Sequence, residues 1–511
     1  MDGNFKKIGR LISTTRLQRG LTQAQLAERL GTSQSAINRI EKGNQNISID
    51  LLSRISDVLN KKIISLRSDT VSLQIEGGHE LRGSITLKSS KNACMGLLSA
   101  SLLNRGTTRL KHVARIEEVN RILEVLESIG VSVRWLSGNE LEIKPPAQFS
   151  LHSLNQTAAT KTRSIFMLVG ALIHHLPEFS LPHAGGCQLG KRSVLPHIYA
   201  LEHFGVSIET LSNRYEIRVD QHNKRASPRD IVMYESSDTA TENAIFAAAL
   251  SPGTTTIYMA SANYAIQDVC CFLQKLGVVI EGIGTTTLKI TGLDAIPKKS
   301  VSYSPSEDPI EAMTFIAAAI ATNSEITICR VPIDFVRLEL YKIEKMGGRF
   351  TTSAEYLADN GYTKLVDVTV HKHDGCLRAP LEKIESRPYP GLNIDNLPYF
   401  IVICAMAKGE SLIHDWTYEE RVLLLMEMKK VGVDMQMADI HRVIVRGPTK
   451  WRAADLICPP GLRPAVLVLI GMLAAKGTST LRNIYTINRG YEDIAERFNS
   501  LGARITIDNS L

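Results

Sequence analysis

Leu126-Glu-Ser-Ile-Gly130-Val-Ser-Val133 decides the fold, because the phrase returns five more times. It recurs as Leu201-Glu-His-Phe-Gly205-Val-Ser-Ile208, Leu273-Gln-Lys-Leu-Gly277-Val-Val-Ile280 and Ile343-Glu-Lys-Met-Gly347-Gly-Arg-Phe350. The last copies are Met428-Lys-Lys-Val-Gly432-Val-Asp-Met435 and Phe498-Asn-Ser-Leu-Gly502-Ala-Arg-Ile505. Successive glycines lie 75, 72, 70, 85 and 70 residues apart. Each copy reads as the end of a helix, a glycine, then a strand. Glycine suits the C-cap, where the chain turns left-handed and a Cβ would be crowded. In five copies an apolar helix, a turn and a strand lie 23 to 25 residues upstream, as in Ala248-Ala-Leu-Ser-Pro-Gly253-Thr-Thr-Thr-Ile257. A period near 72 residues is too long for a solenoid. It suits a compact α+β unit of strand, helix, strand, helix, strand, with amphipathic helices packed on a sheet face. Six units divide into two lobes of three, and a ligand cleft is expected between them.

The 511 residues, 44% hydrophobic and 22% charged, fit a soluble globular protein of several domains. No apolar run approaches the roughly 20 residues of a membrane span. The polar start, Met1-Asp-Gly-Asn-Phe-Lys-Lys7, has no apolar signal core. A cytoplasmic protein without a membrane partner is expected. The eight cysteines are scattered apart from Cys270-Cys271 and form no C-x-x-C pair, so neither a zinc site nor a disulfide framework is indicated. No metal and no cofactor are expected.

Charge separates the chain into two parts. Residues 1–66 hold eleven Lys/Arg against five Asp/Glu, most of the net +7 of the whole chain. A polyanion partner is therefore expected for this segment alone. Within it, Gly20-Leu-Thr22-Gln-Ala-Gln-Leu26-Ala27-Glu-Arg-Leu30 reads as a helix capped by Thr22. Gly31-Thr-Ser33 breaks it, and Gln34-Ser-Ala-Ile-Asn38-Arg39-Ile-Glu-Lys42 forms the next, ending at Gly43. Two short helices about a glycine-containing turn, with small Ala27 at their crossing, are the pattern of a helix-turn-helix. The segment resembles the Cro/C1-type (XRE) DNA-binding domain. The resemblance places Gln34, Ser35, Asn38 and Arg39 on a recognition helix in the major groove of double-stranded DNA. It places Thr22 and Gln23 at a phosphate, and implies a homodimer. A helical module that binds another protein through the same polar face is the competing reading.

In the larger part, Leu181-Pro-His-Ala-Gly-Gly-Cys187-Gln-Leu-Gly-Lys-Arg192 sets a thiol among glycines beside two cations. Nearby cations favour the thiolate, so the loop fits chemistry on an anionic substrate. A turn with a buried cysteine fits the same residues.

Residues 72–511 resemble the enolpyruvyl transferase family, and the cysteine loop points to its UDP-N-acetylglucosamine branch. The fold this implies is α+β: two lobes of six βαβαβ-type repeats, an inside-out α/β barrel, after an all-α helix-turn-helix domain. The implied divisions are 1–66 for the helical domain, 67–72 for a linker, 91–300 for the first lobe, and 72–90 with 301–511 for the second. The implied reaction moves the enolpyruvyl group of phosphoenolpyruvate to the 3-hydroxyl of UDP-N-acetylglucosamine or a related sugar nucleotide, releasing phosphate. It would serve peptidoglycan precursor synthesis. Motif by motif, Lys91 would bind phosphoenolpyruvate and Asn92 the sugar. Arg163 would face the nucleotide side, with Ser237 and Thr239. Cys187 would protonate or hold the enolpyruvyl carbon, and an epoxide such as fosfomycin would alkylate it. Arg192 would clamp phosphate, and Asp395 would be the general base. Arg421, Arg463 and Arg489 would supply further cations. His197 follows the cysteine loop as a structural residue.

Departures from the pattern cluster on the acceptor side. Thr239 stands where the family has glycine, and Asp238 adds a negative charge beside the expected diphosphate. Asn263-Tyr-Ala-Ile-Gln267 replaces an acidic, proline-containing turn. Pro309 replaces an arginine, Glu420 an asparagine and Gly461 an aspartate. Two alternatives follow from these departures: a transferase with a different sugar acceptor, or a transcriptional regulator whose enzyme fold senses a nucleotide sugar without turnover.

Overall fold

A computed structural model describes residues 71–508 except 137, 184, 186–192 and 221–228. Of the first 70 it describes residues 21–43 and positions 9, 12, 13, 16, 45, 51, 54, 55 and 58. Two compact units divide between Val71 and Ser72.

The first unit includes the helices Gln23–Leu30 and Gln34–Glu41. Thr22 and Gln25 form a reciprocal capping box, and Ser33 caps the second helix. Gly31 turns between them with φ 62°. Leu26, Ala27, Leu30, Ile37 and Ile40 close a core with Ile12 and Ile55. Beside it Arg16 and Glu41 form a buried ion pair at 2.5 Å. Gln23 is half-buried, and its amide donates to Glu41 at 2.8 Å, helping to compensate the buried carboxylate. Gln34, Ser35 and Arg39 are exposed and Asn38 is half-buried.

Among the described residues the second unit contains six sheets. Five share one plan: three antiparallel strands with a fourth strand parallel on one edge. The sixth has the antiparallel strands Glu178–Pro182, Val206–Thr210 and Arg214–Val219 among the described residues. The glycines that open the repeats, Gly130, Gly205, Gly277, Gly347, Gly432 and Gly502, all have φ between 73° and 107°. Each leads into an outer strand, such as Ser132–Trp135 or Asp434–Met437.

The chain closes on itself. Ser72–Gly77 lies between Gly477–Arg482 and Arg504–Asp508, antiparallel to both, so the first strand completes the last sheet. Arg82–Thr86 then runs parallel to Glu325–Pro332 before the chain enters the first lobe. Val301–Tyr303 pairs in parallel with Thr108–Leu110 where the chain passes between the lobes. Asp268 joins the lobes there. It accepts from Tyr303 at 2.8 Å, from the Ser306 backbone at 2.9 Å and from Asn360 at 3.2 Å.

The helices divide into two kinds. Glu117–Ser128 is amphipathic, as expected for a helix on a sheet. Pro309–Ala321 is buried at every residue, and Tyr399–Met406 at all but its last. These helices are enclosed on all sides, which their nearly unbroken apolar sequence permits. No described helix is long and apolar enough to cross a membrane. The seven described cysteines are unpaired, five of them buried.

The positive φ makes a stability prediction. At Gly502 a new Cβ would meet nothing closer than 3.7 Å, so Gly502→Ala should cost only the backbone term, about 1–2 kcal/mol. At Gly432 the Cβ would lie 2.6 Å from the Lys450 carbonyl oxygen, so Gly432→Ala should cost more. Urea denaturation midpoints of the two variants should fall in that order.

Candidate active site

Between the lobes lies a cavity of about 1090 Å³. The first lobe contributes Lys91 and Asn92 from the start of the helix Lys91–Ala100. Ser90 caps that helix, its hydroxyl accepting from the Asn92 backbone at 3.2 Å. Asn92 donates its amide to the Tyr264 hydroxyl at 3.3 Å. Arg163 begins the next wall, directly after buried Thr162. Ser237, Asp238 and Thr239 open the helix Asp238–Ala249 at the cavity edge.

The second lobe contributes Asp395, Arg463 and Arg489. The Asp395 carboxylate lies 3.4 Å from Arg463 and 3.8 Å from Arg421. Its loop is clamped from behind. Buried Glu339 accepts from the Asn393 backbone at 3.2 Å and from the Asn396 amide at 2.8 Å. Asn393 in turn accepts from the Asp395 backbone at 2.8 Å. Arg463 also donates to Tyr491 at 3.1 Å. Burial alone would lower the pKa of this guanidinium, but Tyr491, Asp395, Tyr399 and Asp308 outweigh it, so Arg463 stays charged. Arg421 is fully buried behind Asp395 and bonds Asp415 through Nε, while its two terminal nitrogens make no hydrogen bond.

Glu118 ties the lobes together at the cavity. It accepts from Thr162 at 2.7 Å and from Arg489, 371 residues later, at 2.8 Å. Burial raises a carboxyl pKa, yet Lys91, Arg489 and the Thr162 hydroxyl hold this one below its usual range. Sequence reading missed Glu118, because Glu117-Glu118 at a helix start looks like a solvated helix-dipole pair. Asp415 was missed for a similar reason: a lone aspartate six residues before Arg421 carries no motif.

Two acceptor-side departures turn out to be partners. Asp238 accepts from Ser261 at 2.5 Å and from Asn263 at 2.9 Å. Burial raises its carboxyl above the ordinary range. Its charge is therefore turned away into its own donors. His197, expected as structural, is buried and lines the cavity. Its ring lies 2.8 Å from the Asn243 amide and 3.2 Å from the Thr239 hydroxyl. Cys187 and Arg192 lie outside the described residues.

The sequence model of EPSP synthase (3-phosphoshikimate 1-carboxyvinyltransferase) matches residues 75–498. The chain belongs to this family. A helix-turn-helix model matches residues 12–66. UDP-N-acetylglucosamine 1-carboxyvinyltransferase of Bradyrhizobium diazoefficiens is 31% identical over 433 residues, covering 84% of this chain and 96% of that protein. The enzyme of the same name from Gloeobacter violaceus is also 31% identical, over 85% of this chain and 90% of its own length. Among solved structures, the enolpyruvyl transferase NikO from Streptomyces tendae shares the fold with a TM-score of 0.73, 22% identity, and coverage of 86% of this chain and 99% of that one. EPSP synthase from Acinetobacter baumannii shares it at 0.64 and 18% identity, covering 86% of this chain and all of that one. The chain is thus an enolpyruvyl transferase family member carrying an N-terminal helix-turn-helix domain.

Burial makes a pH prediction. It lowers His197, with help from Arg163, from 6.5 to about 3. The folded protein therefore keeps this ring neutral while the unfolded chain protonates it. Stability from this group is complete above pH 6.5 and is lost as pH falls toward 3, at about 1.4 kcal/mol per pH unit. Urea denaturation at pH 7, 6 and 5 should show a shallower loss in His197→Asn than in the parent protein.

Proposed function

We propose that the cavity transfers the enolpyruvyl group of phosphoenolpyruvate to a hydroxyl of UDP-N-acetylglucosamine or a closely related sugar nucleotide. The observation that carries this reading is Asp395, held between Arg463 and Arg421 on one lobe and facing the same cavity as Lys91 and Arg163 on the other. A carboxylate among cations suits a base that takes a proton from a hydroxyl while neighbouring groups bind anions. Arg421, fully buried behind Asp395, adds positive charge to this side of the cavity. In this reading the acceptor hydroxyl gives its proton to Asp395 and bonds the enol carbon while the methylene carbon is protonated; phosphate then leaves and the new methyl group gives a proton back, restoring the double bond. Lys91, Arg463, Arg489 and Arg421 balance phosphate and carboxylate charge. Asn92, Arg163, Ser237 and Thr239 contact the acceptor. Cys187 supplies the proton to the enolpyruvyl methylene carbon, and Arg192 holds the phosphate. The enzyme would supply peptidoglycan precursors in the cytoplasm. The relatives' shared name and their near-complete coverage support this acceptor.

The same proposal gives the N-terminal unit to double-stranded DNA, read by Gln34, Ser35, Asn38 and Arg39, with Thr22 and Gln23 near the backbone. The cationic balance of residues 1–66 and the exposed face of Gln34–Glu41 support it.

Phosphate release from UDP-N-acetylglucosamine and phosphoenolpyruvate should be measurable in the parent protein. Asp395→Ala should lower it by about a hundredfold or more, the usual worth of a positioned base, and Cys187→Ser should lower it as well. No release under conditions where the sugar nucleotide binds would sink the enzyme reading and leave the sensor. For the other unit, duplex DNA should be shifted in native gels at low salt, less so as salt rises, and the shift should weaken in Arg39→Ala.

A further inference from the structure

Asn243 is fully buried, and two backbone groups fix which way its amide points. The Gly170 N–H donates to Asn243 Oδ1 at 2.8 Å, and Asn243 Nδ2 donates to the Phe166 carbonyl at 3.0 Å. An N–H can only donate and a carbonyl can only accept, so the amide cannot be flipped. Its second Nδ2 hydrogen therefore meets His197 Nδ1, 2.8 Å away. That nitrogen must present a lone pair. A neutral imidazole then carries its hydrogen on Nε2. Nε2 lies 3.2 Å from Thr239 Oγ1, so the ring donates and the hydroxyl accepts. Thr239 is exposed at the cavity wall, and its own hydrogen is left to point into the cavity.

We infer that Thr239 is a polarity-fixed hydrogen-bond donor, which the Gly170–Asn243–His197 relay aims at a lone-pair oxygen of the acceptor substrate. This rests on the reading of the cavity as a sugar-nucleotide site and deepens it. Arg163 lines the same cavity, and its charge is felt at His197. Asp238, next in sequence, spends its carboxylate on Ser261 and Asn263 and so does not compete for the Thr239 hydrogen. A donor hydroxyl beside a guanidinium selects a phosphate oxygen or a base carbonyl and rejects a ligand group that can only donate. His197 and Asn243 are positioning residues, since they act through Thr239.

The test is calorimetric titration of the full-length protein with UDP-N-acetylglucosamine, UMP and uridine. Thr239→Val keeps the shape and removes the donor, and should weaken UDP-N-acetylglucosamine binding roughly tenfold, the worth of one hydrogen bond to an acceptor oxygen. Thr239→Ser restores the hydroxyl and should bind within about twofold of the parent on the same scale. Asn243→Asp is the sharper variant. A carboxylate cannot donate to Nδ1, so the ring would carry its hydrogen there, Nε2 would accept, and Thr239 would turn its hydrogen onto the ring. Binding should then weaken as in Thr239→Val although the hydroxyl is still present. In turnover, both weakening variants should raise KM for the sugar nucleotide and leave KM for phosphoenolpyruvate unchanged. Loss with UMP but not uridine assigns the oxygen to phosphate, and loss with both assigns it to the nucleoside. Parent-like binding by Thr239→Val overturns the inference and leaves the site reading standing. A parent protein that binds neither UDP-N-acetylglucosamine nor UMP overturns both. If Asn243→Asp does not fold, the Val and Ser pair still decides.

Discussion

The Glu118–Arg489 ion pair is the constraint around which the site is organised. A carboxylate cannot be buried without compensation. Glu118 sits on a first-lobe helix, and its compensation comes from Lys91 and Thr162 on that lobe and Arg489 on the other. The lobes must therefore stand in this relation for the carboxylate to be tolerated. The same pair sets the charge of the cavity, because it partly neutralises two of its cations and leaves the rest to act on ligands.

The second lobe repeats the device. Asp395 lies between two guanidinium groups, and one of these, on Arg421, is itself bonded to buried Asp415. Removing either cation would leave a charge uncompensated. Acid and base thus alternate through the site, and Arg463 and Arg489 at the cavity each have a carboxylate beside them. This is how so many like charges can share one cavity.

Glu339, Asn393 and Asn396 add a purely mechanical layer. They hold the loop that carries Asp395 through side-chain bonds to the backbone, so the carboxylate is placed before any ligand arrives. Asn243 does the same for His197 on the opposite lobe. At Asn243 one amide passes the direction of two backbone groups to the His197 ring, whereas Asn393 and Asn396 fix the backbone of the loop that carries Asp395.

The repeat was legible in the sequence because its glycines answer to a local rule: left-handed backbone at a helix end excludes most other residues, and six such glycines at nearly equal spacing announce six units. The helix-turn-helix was legible for the same reason, since Thr22, Gly31 and Ser33 cap and break helices through contacts within a few residues. Lys91, Asp395 and the arginines could be named from short motifs. What no local rule could supply were Glu118, Asp415 and the tautomer of His197, or the bond from Gln23 to Glu41. These depend on partners tens to hundreds of residues away, and burial converts an ordinary polar residue into a committed one only after the chain has brought those partners together.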